Sequence, residues 1–167
     1  MEYIITEVKD NQLKIRVKKD HNLQGGTKNI HVSTSTLNQL RVSSGSTAKS
    51  VNTIKSDNLE VNVSSGAHAN VKVEANELEA DASSGAHLTI SGYVNEQFDA
   101  HASSGSHIKA GGVSGVGFEG DVSSGAHIKV GEFKYVDGTA SSGGHIKYAG
   151  NPEKVDVNKS SGGSVSN

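Results

Sequence analysis

The sequence predicts an all-β fold, a single-domain parallel β-helix (β-solenoid) of about 20 residues per coil, and three observations carry that expectation. First, Ser-Ser-Gly occurs seven times, beginning at Ser43, Ser64, Ser83, Ser103, Ser123, Ser141 and Ser160, with spacings of 21, 19, 20, 20, 18 and 19 residues. A near-constant period of this length marks stacked structural repeats. Second, apolar residues alternate with polar ones on both sides of the tripeptide, the period-two pattern of a strand with one buried face. Third, the 167 residues are 33% hydrophobic and 4% aromatic, with 20 Gly and 24 Ser. That composition is too poor in large side chains for a wide core, yet it suffices for the narrow interior of a solenoid.

At the amino end, residues 3–8 are a strand candidate, followed by Lys9-Asp10-Asn11. Leu13, Ile15 and Val17 then alternate like a first strand and Ile30 and Val32 like a second, with a longer polar turn over residues 21–28 where Ser-Ser-Gly would stand. Residues 1–42 are therefore expected to hold amino-terminal strands and a degenerate first rung. The chain opens in the middle of β structure, as a shortened amino end would.

Residues 43–167 are expected to form one continuous repeat solenoid. Five residues before the first Ser of each corner stand Leu59, Leu78, Phe98, Phe118, Val136 and Val155, and three before it Leu40, Val61, Ala80, Ala100, Gly120, Gly138 and Val157. Five after it come Ala48, Ala69, Leu88, Ile108, Ile128, Ile146 and Val165. These positions face one interior. The length variation falls between rungs, in stretches such as 74–77 and 111–117, which read as loops. A chain of antiparallel hairpins is the rival arrangement, but tight hairpins favour Asn-Gly or Asp-Gly, and neither lies near these corners. Small Ser and Gly residues permit a sharp bend, and Ser hydroxyls stacked there are able to link successive rungs. A right-handed path is the expected one for parallel connections. Lys159, on an inward position of the last rung, suits a polar end that resists stacking.

The composition excludes several functions. Without Cys there is no disulfide scaffold, thiolate metal site or cysteine nucleophile. A formal charge of −2 argues against nucleic acid as the partner. No apolar run approaches the roughly 20 residues of a membrane-spanning helix, and no basic, apolar leader opens the chain.

The segments Asp10-Asn11-Gln12-Leu13-Lys14-Ile15-Arg16-Val17 and Leu37-Asn38-Gln39-Leu40-Arg41-Val42-Ser43-Ser44-Gly45-Ser46, followed by the Ser-Ser-Gly-Ala-His rungs, resemble the bacterial autotransporter-adhesin head, or GIN domain, family over essentially the whole chain. The resemblance implies an exported β-solenoid at the cell envelope or surface, periplasmic or extracellular, with an adhesive role. It carries over no catalytic or binding residues.

Two outward columns are the candidate binding surfaces. Four residues before each corner Ser stand Glu60, Glu79, Asp99, Glu119, Asp137 and Asp156. Stacked about 4.8 Å apart, these carboxylates repel by about 0.9 kcal/mol per neighbouring pair in water, which salt reduces further. A solvated face, a ladder of bridging cations such as calcium, and a surface for a positively charged partner all fit this column. Four residues after each corner Ser stand His68, His87, His107, His127 and His145, with Lys109, Lys129 and Lys147 two positions further on. Imidazoles covering the corner, a zinc or nickel site across rungs, and a set of groups charging together between pH 5 and 7 are the readings here.

Catalysis requires neighbours that differ, one carboxylate serving as acid and another as base or nucleophile. Identical columns offer no such contrast, and neither a Gly-x-Ser-x-Gly elbow nor a phosphate loop is present. Tyr93, Phe133 and Tyr135, read as loop residues, are the few aromatic candidates for a ligand contact. The expectation is a non-enzymatic scaffold or adhesin-type module, with no cofactor and no resident metal, facing a glycan, a surface protein or another copy of itself. A carbohydrate-active β-helix enzyme or its polysaccharide-binding module is the alternative.

Overall fold

A computed structural model describes residues 3–23 and 25–167, and every regular element among them is a strand. The chain divides into two compact units, residues up to 33 and residues 34–167.

In the first unit β1 (Ile4–Lys9) and β2 (Gln12–Val17) form an antiparallel hairpin running from Ile4↔Val17 to Lys9↔Gln12. Asp10 and Asn11 make its turn with φ of 50° and 58°. Asp and Asn tolerate this left-handed region better than most residues, which favours a two-residue hairpin here. Leu13, Ile15 and Val17 therefore lie on a strand as expected, but it turns back on β1 and is not the first half of a rung. Ile30 and Val32 lie outside any strand and are 40% and 54% exposed. Gly25 and Gly26 before them take left-handed angles of 63° and 65°, but no strand flanks them among the described residues, so no rung forms there.

The second unit is the solenoid: β3 (Gln39–Val42), β4 (Thr47–Val63), β5 (His68–Ala82), β6 (His87–Ala102), β7 (His107–Val122), β8 (His127–Ala140), β9 (His145–Ala149), β10 (Lys154–Lys159) and β11 (Ser164–Ser166). They form one sheet in which each coil pairs in parallel with the next, with β10 on β8 and β11 on β9. Coils of about 19 residues stack into about seven turns, a β-solenoid as the repeat predicts.

The corner explains the invariant tripeptide. In all seven, the second Ser has φ between 46° and 56° and the Gly between 68° and 78°. The N–H of the next residue donates to the carbonyl of the first Ser at 2.8–3.2 Å. This is a two-residue turn with both central residues left-handed, the geometry a tight hairpin uses. The flanking strands nevertheless bond to the coils above and below. The corner Gly N–H donates to the second Ser carbonyl of the following coil at 3.0–3.2 Å, so backbone groups carry the link from rung to rung that stacked hydroxyls were expected to provide.

Between corners the chain stays paired. The stretches 74–77 and 111–117, expected as loops, lie within β5 and β7, and the extra residues appear as register shifts at Ala75/Glu77, Val94/Gln97 and Ala110/Gly115. A coil with neighbours on both sides satisfies its backbone groups best by absorbing an insertion as a bulge. At this second bend a short amide ladder forms: Asn76 Nδ2 donates to Asp57 Oδ1 at 3.2 Å, and Asn95 Nδ2 to Asn76 Oδ1 at 2.6 Å.

The interior is a narrow stack. The expected inward columns are buried through the middle coils, from Leu59, Val61 and Val63 to Val136 and Ala140 on one side and from Ala69 to Ile146 on the other. Phe133, expected on a loop facing a ligand, is 4% exposed and packs against Phe98 and Phe118 at centroid distances of 6.0 and 5.7 Å. Val130 and Gly131 are both buried in succession, so the alternation of β8 shifts phase at the bend and the ring of Phe133 turns inward. Tyr93 and Tyr135 are each 46% exposed. Lys159 is in register with the buried Ala140 but is itself exposed, as are Val155 and Val157 on the same strand.

Candidate functional site

The sheet register places the two candidate columns in straight files. Glu60, Glu79, Asp99, Glu119, Asp137 and Asp156 pair in succession, one from each coil. Glu60 ends the file and is held by side-chain donors: Gln39 Nε2, Asn62 Nδ2 at 2.6 Å, and Arg41 Nη2 at 3.3 Å. The Gln39 and Asn62 donors, with smaller help from the Arg41 charge, hold its carboxyl below the usual carboxylate range. Asp99 receives Gln97 Nε2 at 2.6 Å.

His68, His87, His107, His127 and His145 also pair in succession. Their rings form a continuous stack, with centroids 4.9–5.0 Å apart and interplanar angles of 2–18°. The strand spacing of an in-register parallel sheet sets that distance, and the position directly after a tight corner fixes the direction of each side chain. Thr47 and Ser164 occupy the same register position at the two ends of the file. Lys109, Lys129 and Lys147 make a parallel file on the same strands. At the centre of the stack burial pushes the His107 imidazole pKa down, and the nearby charges of His127, His87 and Lys109 push the same way. Its Nδ1 is buried without a hydrogen-bond partner.

Stacked imidazoles are poorly arranged to share an ion. Each nitrogen lone pair lies in its ring plane, and nearly parallel planes do not aim at a common point. Ligand atoms on one zinc ion must come within about 4.2 Å of each other.

A third outward column differs from the other two. Two residues before the corner Ser, the register runs Asn62↔Asp81↔His101↔Asp121↔Thr139. His101 Nδ1 lies 3.5 Å from Asp121 Oδ2. Glu79, Asp81 and His101 each place a ligand atom within 4.8 Å of the other two. Burial raises the Asp81 carboxyl pKa, an effect that the charge of His101 partly offsets. Ser83, Ser103 and Ser123 line the open groove beside these side chains.

Comparison with known proteins agrees with this architecture. Residues 1–152 match the family model described as "Putative auto-transporter adhesin, head GIN domain". The chain belongs to this family. A crystal structure described as a putative adhesin from Bacteroides fragilis NCTC 9343 superposes on this GIN domain with a TM-score of 0.83, at 20% identity, covering 99% of this chain and 77% of that one. That likeness shows the shared fold. A search of curated proteins found no match.

Both repeated columns of the GIN domain were visible in the aligned repeat. The Asp81–His101–Asp121 group was missed because attention to identical residues passes over a column whose members change. The signal that finds it is the same alignment read for contrast: Arg41, Asn62, Asp81, His101, Asp121, Thr139 and Asn158 all occupy one frame position. Among the described residues no helix is long and apolar enough to cross a membrane.

Proposed function

We propose that this GIN-domain chain is a non-enzymatic, adhesin-type module of the cell envelope or surface, presenting its polar columns to an extended partner. A glycan, a surface protein and a second copy of the chain are the partners that suit it; nucleic acid is not, given the charge of −2. The observation that carries this reading is the register: six carboxylates and five imidazoles repeat coil by coil, so the same chemical group recurs about every 4.8 Å. A surface of this kind matches a partner that itself repeats, and any one coil contacts it much as the next does. The family supports the location and the adhesive role.

One observation favours the carbohydrate-active alternative: Asp81, His101 and Asp121 supply unlike neighbours at one place. Screening the purified protein on glycan arrays, with a parallel assay for reducing ends released from the same polysaccharides, separates the readings. Binding without release is expected. Turnover of any polysaccharide would replace the scaffold reading with the enzymatic one. Light scattering at low and high salt tests self-association, since a dimer held by opposite-signed columns dissociates as salt rises.

A further inference from the structure

We infer that Glu79, Asp81 and His101 form a site for one divalent transition-metal ion of the zinc type, with Asp121 positioning the imidazole. Glu79 and Asp81 stand two residues apart on β5, so alternation sends both side chains to the same outward face. His101 stands on β6 directly beside Asp81. The three candidate donor atoms already lie within 4.8 Å of one another. A tetrahedral ion bound at about 2.0–2.2 Å brings its donors to about 3.3–3.6 Å from one another, a closing of up to about 1.5 Å that rotation of partly exposed side chains supplies.

The donor set selects the metal. Two carboxylates alone would suit calcium or magnesium; an added imidazole nitrogen favours zinc and its first-row neighbours. Asp121 Oδ2, 3.5 Å from His101 Nδ1, comes from the next coil and is placed to hold the ring's orientation. Three coils thus contribute, and the bound ion ties β5 to β6. Three protein donors leave at least one coordination position open toward the groove, where water or an oxygen of a bound partner completes the shell. Among the described residues this is the one group of three His and carboxylate donors placed so closely, because the column that supplies Asp81 and His101 changes from coil to coil.

The test uses the full chain, stripped with a chelator and titrated with zinc chloride by calorimetry, with calcium chloride in a parallel titration. One zinc ion per chain is expected, with calcium unable to displace it at equal concentration. His101→Asn and Asp81→Asn should each weaken zinc binding at least about tenfold, and Asp121→Asn about tenfold through the ring orientation. His127→Gln and His145→Gln, in the stacked file, should leave it unchanged. Zinc should raise the melting temperature of the parent chain and not that of His101→Asn. Circular dichroism verifies each fold; where His101→Asn is misfolded, Asp81→Asn and Glu79→Gln give the same reading. Absence of zinc binding, retention of parent affinity in both His101→Asn and Asp81→Asn, or loss of binding on changing the stacked imidazoles would each overturn the assignment.

Discussion

Gly120 and Phe118 offer a sharp test of how the narrow interior is filled, because the effect of one substitution should change sign with the other. Phe118 is 2% exposed and lies 5.6 Å from Phe98 and 5.7 Å from Phe133, centroid to centroid. A Cβ built on Gly120 would stand 2.7 Å from Phe118 Cζ, 2.9 Å from its Cε1 and 3.1 Å from Ile146 Cδ1. The coils on one side carry Ala80 and Ala100 at the equivalent position, so the phenyl ring occupies the space a methyl group would fill. Gly120→Ala should therefore destabilise the protein by about 1–3 kcal/mol through overpacking. Phe118→Ala should cost about 3–5 kcal/mol through lost burial and the cavity left behind. In the Phe118→Ala background both ring contacts are gone and Ile146 Cδ1, the end of a flexible side chain with new space beside it, shifts by a few tenths of an ångström, so Gly120→Ala should instead stabilise by about 0.5–1 kcal/mol, the ordinary gain of Ala over Gly within a strand. The resulting coupling of about 1.5–4 kcal/mol overlaps the range of about 0.5–3 kcal/mol seen for residues in direct contact. Urea denaturation of the four proteins, followed by far-ultraviolet circular dichroism and tyrosine fluorescence, measures it; coincident transitions are required because repeat arrays can unfold in parts. If Gly120→Ala has the same sign and size in both backgrounds, the explanation of the glycine by the neighbouring ring is wrong.

Other outcomes follow from the stack and the corner. The folded-state pKa of His107 is lowered, so above the unfolded value of 6.5 the residue is neutral in both states, and below it the unfolded chain takes up the proton more readily. Stability should fall as pH drops from 7.5 toward 5.5, and His107→Gln should flatten that dependence; parallel urea midpoints at the two pH values check it, and equal slopes in both proteins would refute it. Ser124, with φ of 53°, pays for a left-handed backbone that Asn adopts more readily, so Ser124→Asn should raise stability by about 0.5–1 kcal/mol in urea melts. Arg41→Ala removes an exposed contact with Glu60 and should change stability by less than about 1 kcal/mol in the same melts, an exposed pair being weak.

Much of the solenoid was legible in the chain because its determinants are local. Alternation around Ser-Ser-Gly assigns faces without knowledge of the partner strand, and in-register stacking then places the carboxylate and imidazole files automatically. Reading failed where a residue's role depended on what lay beside it. The alternation of Leu13, Ile15 and Val17 is the same in a hairpin as in a coil, and the left-handed turn at Asp10 and Asn11 directs that strand back onto β1. The glycine-rich stretch 111–117 resembles a loop in isolation, yet adjacent coils bond to it on both sides. Phe133 reads as a loop residue for the same reason, since the bulge that turns its ring inward is a response to neighbouring coils.

By itself, then, the sequence determined the coil length, the seven corners and the inward and outward faces, because backbone preference and period-two alternation act within a few residues. The tertiary structure alone decided the pairing of the first two strands, the burial of Phe133 and the approach of Glu79, Asp81 and His101 to within 4.8 Å. The first depends on residues 3 to 13 apart closing a hairpin, and the other two on groups about 20 residues apart, whose height and register only the bonding of one coil to the next sets.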